Sequence, residues 1–173
     1  MKQRFLSILI FLCIVISTLI WANYPMEHLP KDTKVDQVVV YKSKREMQLL
    51  YQNNILRTYP ISMGANPIGH KEQEGDERTP EGTYMLDSRN SKSIAFLALH
   101  VSYPNKTDTE KAKLRNVSPG GLIMVHGIKN GFGWVGKLHT LWNWTNGCIA
   151  INNDEMQEFW DIVPTGTPII IHP

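Results

Sequence analysis

Val35-Asp36-Gln37-Val38-Val39-Val40-Tyr41 opens a series of short apolar runs from which a β-rich architecture follows. Lys42-Ser43-Lys44-Arg45-Glu46 interrupts the series, Met47 to Tyr51 resumes it, and Ile55 to Met63 completes it after Asn53-Asn54. β-Branched and aromatic residues between polar punctuation read as strands. An Asn-Asn pair tolerates the positive φ of a tight hairpin turn. The pattern therefore predicts a three-stranded meander. Working outward, further strands are expected at Gly82–Asp87, Ile94–Tyr103, Leu122–His126, Cys148–Ile151 and Thr167–His172.

Two helices interrupt the strands. Asp108 to Arg115 is polar with charges on most faces, so it is expected to be solvated decoration. Residues 153–163 carry a stronger signal: Asn152 can cap the first turn, with Glu155 three positions on. Met156, Phe159, Trp160 and Val163 then recur at helical spacing as one apolar face, and Pro164 and Gly166 end it. A mostly β domain with one packed helix is predicted over residues 35–173.

Upstream, Lys2 and Arg4 precede Phe5 to Ala22, a run without a charge. Basic residues before an apolar stretch read as an export signal or a signal anchor, and the length lies near the lower limit for spanning a bilayer. Residues 1–22 are assigned to that role and residues 23–34, with Pro25 and Pro30, to a linker. Without the first segment, 16 of the 18 basic residues remain against 16 acidic ones. A neutral domain is no nucleic-acid binder by charge, and membrane contact is expected only through residues 1–22. One cysteine, Cys148, remains outside the N-terminal run. It cannot form an intrachain disulfide, which is awkward for a structural cysteine in an oxidising compartment and natural for a catalytic one.

The chemistry gathers at Thr145-Asn146-Gly147-Cys148 and at His126-Gly127. A thiol beside a glycine, with a histidine elsewhere, suits nucleophilic catalysis: the imidazole takes the proton and compact backbone admits the substrate. Amides around Gly147 can form an oxyanion hole. Taken alone, Cys148 is more often a small buried hydrophobe, and His126 a core histidine bonded to a carbonyl. Their pairing favours the catalytic reading, because Gly131, Gly133 and Gly136 allow the loop between them to return to the same rim. Thr145 either bonds the thiolate or substrate or shapes the turn. His139 is a rival base, ranked behind His126. Trp134, Trp142 and Trp144 either wall a groove or pack the loop down. Neither His-Glu-x-x-His, nor a phosphate-binding glycine loop, nor Gly-x-Ser-x-Gly occurs, which leaves acyl transfer through a cysteine thioester, without metal or organic cofactor.

A histidine, a loop and then Ser/Thr-x-Gly-Cys resembles the L,D-transpeptidases with a YkuD-type catalytic domain. Gly75 to Tyr84 resembles that family's substrate-side turn before a strand, although Thr79-Pro80-Glu81-Gly82 alone would pass for a type I turn. Ala98-Leu99-His100-Val101-Ser102-Tyr103-Pro104 and Thr165-Gly166-Thr167-Pro168 are also similar. The resemblance covers roughly Val35 to His172. It implies a β-sandwich-like catalytic domain acting outside the cytoplasmic membrane, in the periplasm or cell envelope, on peptidoglycan stem tetrapeptides. Cys148 would attack the L-centre carbonyl of diaminopimelate and expel D-alanine. His126 would be the base, Gly127 its orienting carbonyl, and Gly147 with Cys148 the oxyanion donors. Arg78, Asn146 and Trp144 would face the substrate. An amine of a second stem would resolve the thioester into a 3→3 cross-link; a lipoprotein, a D-amino acid or water are other acceptors. Asn146 stands where many members carry histidine, and Ala150 where many carry arginine or asparagine. A hydrolase using the same cysteine is the first alternative. A wall-binding module with a packing cysteine is the second, and a depressed thiol pKa would count against it.

Overall fold

In the computed structural model, which describes residues 2–173, the predicted meander is formed by β1 (Gln37–Tyr41), β2 (Glu46–Tyr51) and β3 (Asn54–Pro60). Its second turn is centred on Gln52 and Asn53, with φ of 52° and 64°, one residue earlier than the Asn-Asn pair suggested. β4 (Gly82–Asn90), β5 (Ala98–Val101), β6 (Met124–His126), β7 (Ile149–Ala150) and β8 (Thr167–His172) complete one mixed sheet in the order β3-β2-β1-β8-β4-β5-β6-β7.

The sheet curls until its two ends meet. Beyond Pro60, which offers no N–H to continue the ladder, Ser62 crosses to the opposite edge and exchanges backbone hydrogen bonds with Ala150 at 2.9 and 2.7 Å. The strand expected over Ile55–Met63 is therefore split between two neighbours. Curling wraps Val38, Val40, Met47, Leu49, Leu86, Leu99, Val125, Ile149, Ile151, Ile169 and Ile171 around one core. The fold is sandwich-like in section although it is a single sheet. Three other expected strands are shorter than predicted: Phe96 and Leu122 adopt φ of 62° and 55° and break extension just before β5 and β6, and Cys148 and Ile151 fall just outside β7.

Helix α1 covers Lys2–Ala22, α2 Lys106–Leu114 and α3 Asn153–Ile162. α3 begins with the expected capping box between Asn152 and Glu155, and Met156, Phe159 and Val163 are fully buried while Trp160 is half-buried. α2 is not merely solvated decoration. Asp108 is buried, accepts from the Tyr84 hydroxyl at 3.0 Å, and lies 3.2 Å from His70 Nε2. Periodicity could not reveal this, since the partner of a charged residue comes from another element. Thr79 to Glu81 runs straight into β4 rather than turning; the tight turn lies at Gln73–Asp76. Residues 23–34 lie along α3, where Met26 and Leu29 amides donate to the Asp154 and Glu158 carboxylates.

Burial pushes the Glu155 carboxyl up to about 7, outweighing the Asn152 amide that favours its charge. The folded state thus holds this proton to higher pH than the unfolded chain does. The corresponding stability is present below the ordinary glutamate pKa of about 4.3 and is lost as pH rises through about 7, on the order of 3 kcal/mol in all. Glu155→Gln keeps an acceptor for the cap and should raise Tm by several degrees at pH 8 while changing little at pH 5. Equal destabilisation at both pH values would show that the native carboxylate is charged and useful.

Candidate active site

β6 and β7 run parallel, with Val125 opposite Ile149 and His126 opposite Ala150. One step back, the same register sets Cys148 beside Met124. Side chains alternate along a strand, so Val125, Ile149 and Ile151 enter the core while Met124, His126, Cys148 and Ala150 share the outer face. The sequence-predicted imidazole thus ends β6 and the thiol stands one residue ahead of the neighbouring β7, an arrangement set by strand register rather than by the loop between them.

His126 is 8% exposed. Its Nδ1 lies 2.6 Å from the Gly127 carbonyl oxygen, which can only accept, so Nδ1 carries the proton and Nε2 the free lone pair. Gly127 itself is wedged: a Cβ there would lie 2.7 Å from Asn153 Oδ1 and 2.9 Å from Phe96 Cβ. Asn153 Oδ1 also accepts from the Ile128 amide at 2.8 Å, fixing the chain directly after the imidazole. Nothing in the sequence marked Asn153, which reads as an ordinary first-turn residue of α3.

Cys148 is half-buried, and its thiol donates to the Leu122 carbonyl at 3.5 Å. Burial pushes the thiol pKa up, against the pull of the Met124 amide and the Lys71 charge. Burial likewise lowers His126, against the Gly127 carbonyl. Both groups are therefore driven towards neutrality. The depressed thiol expected of an active cysteine is absent from the resting site, because the Met124 amide and the Lys71 charge do not make up for the loss of water.

Thr145 shapes the turn. Its Oγ1 donates to the Cys148 carbonyl at 2.7 Å and accepts from the Gly147 amide at 3.2 Å. Gly147 adopts φ of 120°, packed against the Arg78 carbonyl. Arg78 thus meets the site through its backbone. Its guanidinium turns away, with Nη1 3.5 Å from the His70 carbonyl.

Two clefts reach neighbours of Cys148 and His126, one through Leu122 and Asn146 and the other through Trp144. A polar one of about 510 Å³ is lined by Lys71, Glu74, Glu77, Ser118, Leu122 and Asn146. An apolar one of about 270 Å³ lies between Ile128, Phe132, Val135, His139, Trp142 and Trp144. Trp144 closes the apolar cleft against the base, edge-on to His126 at 5.8 Å and to His139 at 6.4 Å between ring centroids. His139 is a buried residue of the 3₁₀ segment Gly133–Leu141, and both its ring nitrogens are buried without a partner among the described residues. Burial, then the His126 and Arg45 charges, take it down to about 4. Ser62 Oγ holds this lid from between the His139 and Trp142 carbonyls, at 2.7 and 2.9 Å, with its single proton shared between the two. Ala150 is wholly buried across from His126 beneath the Ser62 bridge, so a charged side chain has no room there.

Residues 36–171 match the model of the YkuD family, the L,D-transpeptidase catalytic domain. YafK of Escherichia coli (strain K12), whose name assigns it to the L,D-transpeptidases, is 24% identical over 142 residues, covering 79% of this chain and 50% of that protein. The chain spans about half the length of the curated relatives it matches. Among solved structures, the helical cell shape determining protein Pgp2 from Campylobacter jejuni superposes with a TM-score of 0.58 at 23% identity, covering 89% of this chain and 53% of that one. Bd1075 of Bdellovibrio bacteriovorus gives 0.57 at 26% identity, over 87% and 52%. An L,D-transpeptidase from Xylanimonas cellulosilytica gives 0.53 at 15% identity, over 85% and 65%, a likeness of fold.

Proposed function

Because the chain belongs to the L,D-transpeptidase family through a YkuD-type catalytic domain at residues 36–171, we propose that it is an exported cysteine acyltransferase acting on peptidoglycan stem tetrapeptides. What supports this reading is the β6–β7 register: His126 ends β6 and Cys148 stands one residue ahead of β7, with a polar cleft at the neighbouring Asn146 and Leu122 and an apolar one at Trp144. Cys148 Sγ attacks the carbonyl that precedes the terminal D-alanine, and His126 Nε2 takes the thiol proton. The Cys148 amide stabilises the oxyanion, while the Gly147 amide is held by Thr145 Oγ1 at 3.2 Å. Collapse breaks the C–N bond, the proton passes to the departing amine, and a thioester remains. An acceptor amine then attacks the thioester, loses a proton to His126 and returns the thiol.

Proton transfer accompanies attack in this scheme, since burial disfavours a resting thiolate–imidazolium pair. The apolar cleft under Trp144 suits the aliphatic part of the donor. The polar cleft carries Glu74 and Glu77, which attract an ammonium, and so suits the amine acceptor. Water attacking the thioester from the same polar cleft would give hydrolysis, the second reading. α1 is long and apolar enough to cross a membrane and is read as the exporting segment, retained as an anchor.

Full-length protein in detergent should be incubated with purified tetrapeptide muropeptides, and the products followed by mass spectrometry. Loss of D-alanine with linked dimers is the expected result. Loss of D-alanine without dimers, even with lipoprotein peptide or D-amino acids added, would assign hydrolysis. Intact tetrapeptide would overturn the reading.

A further inference from the structure

We propose that the start of the active-site lid, Phe132 to Lys137, is a membrane foot: a lipid-facing surface of the catalytic domain itself, seated in the outer interface of the bilayer that α1 crosses. The inference rests on the reading of α1 as a retained anchor. The uncharged run of α1 from Phe5 to Ala22 is 18 residues, about 27 Å at 1.5 Å per residue, close to a hydrocarbon core of about 30 Å. Its side chains from Phe5 to Trp21 are largely exposed, so no protein core claims them. A helix of that length brings its last turn to the headgroup level.

The lid is fastened to that last turn. Asn23 Nδ2 donates both to the Leu19 carbonyl at 2.9 Å and to the Trp134 carbonyl at 2.8 Å. Lys137 Nζ donates to the Tyr24 carbonyl at 3.3 Å. Ala22 is buried against Gly136, where a Cβ would sit 2.2 Å from the Ala22 carbonyl oxygen, so only glycine allows this approach. These contacts fix the depth of Phe132 to Lys137 at the end of α1.

What the foot presents fits an interface. Phe132 and Trp134, with Trp21 of the anchor and Tyr24 just after it, are each more than half exposed. Large aromatic residues gathered at one level are the usual furniture of the headgroup region. Lys137 beside them, and Lys129 one turn before, would meet anionic lipid. Other exposed apolar residues, such as Ile55 on β3 and Leu114 on α2, stand on separate elements. Since Phe132 also lines the apolar cleft, the foot would hold the mouth of that cleft at the bilayer surface and confine the domain to membrane-proximal wall peptides.

The test uses the full chain in nanodiscs of phosphatidylethanolamine and phosphatidylglycerol, with benzoylphenylalanine in place of Phe11, Phe132, Trp134, Ile55 or Leu114, irradiated and analysed by mass spectrometry. Lipid adducts at positions 11, 132 and 134 but not at 55 or 114 are expected. Adducts at position 11 alone would overturn the foot and leave the anchor standing. Their absence at position 11 would reject the anchor, and the foot with it. Adducts at positions 55 and 114 as well would indicate general adsorption, and protein adducts at 132 or 134 would give this face to a protein partner; either result overturns the proposal.

Discussion

The Cys148→Ala variant is expected to fold, to bind tetrapeptide and to release no D-alanine, a loss of roughly ten-thousandfold or more. Removing a half-buried sulfur from the outer face should cost only about 1 kcal/mol of stability, because the core side of β7 is held by Ile149 and Ile151. A thermal transition lowered by no more than about 2–4 °C, with no acyl adduct by intact mass, would meet the expectation. Turnover surviving in this variant would move the chemistry away from Cys148 altogether. His126→Ala should separate the partners, leaving the thiol but slowing acylation about a hundredfold or more. Near-normal rates in that variant would transfer the base to His139.

The pH dependence of that same step follows from burial. A neutral imidazole is required to accept the thiol proton, and burial keeps His126 neutral to lower pH than a solvated histidine. The acid limb of kcat/KM should therefore fall below the ordinary histidine pKa of about 6.5, and it should disappear in His126→Ala. His139, taken down to about 4, stays uncharged across the whole working range. A second positive charge beside the base is thereby avoided.

Residues near in sequence were legible from sequence. The meander, the capping box of α3 and the span of β8 all rest on local periodicity and on pairs a few positions apart. What failed to show was decided across the chain. Ser62 looks like a strand residue until it is seen bridging Ala150 from the far edge of the sheet. Asp108 reads as solvent-facing until Tyr84 and His70 arrive over it. Cys148 and His126 could be paired by residue type, yet the register that puts them on one face is set by two very short strands. Asn153 and Leu122 touch the site through an amide oxygen and a carbonyl, roles that any amide side chain or any residue could fill.

Gly147→Ala is expected to be among the most damaging single-methyl changes in this protein. The position has φ of 120°, a conformation that L side chains rarely adopt. An added Cβ would fall 2.5 Å from the Arg78 carbonyl oxygen and 3.2 Å from Ile123 Cδ1. Neither neighbour yields easily: Arg78 is tied through its amide to Asp76 at 3.1 Å, and Ile123 lies in the core. Strain of this kind costs about 1–3 kcal/mol before any collision is counted, so a loss of at least about 3 kcal/mol is expected. Relief would come by rotating the Gly147 peptide, which breaks its bond to Thr145 Oγ1 and swings the proposed oxyanion donor, the Cys148 amide, out of place. Activity should then fall further than the folded fraction does. The comparison to make is Tm and acyl-adduct rate for Gly147→Ala beside Gly166→Ala, where φ is 89° but no atom lies within 4 Å of the added Cβ. If both variants lose the same stability and neither loses rate beyond unfolding, backbone strain alone explains the glycine, and the close packing on Arg78 has no part in holding the site.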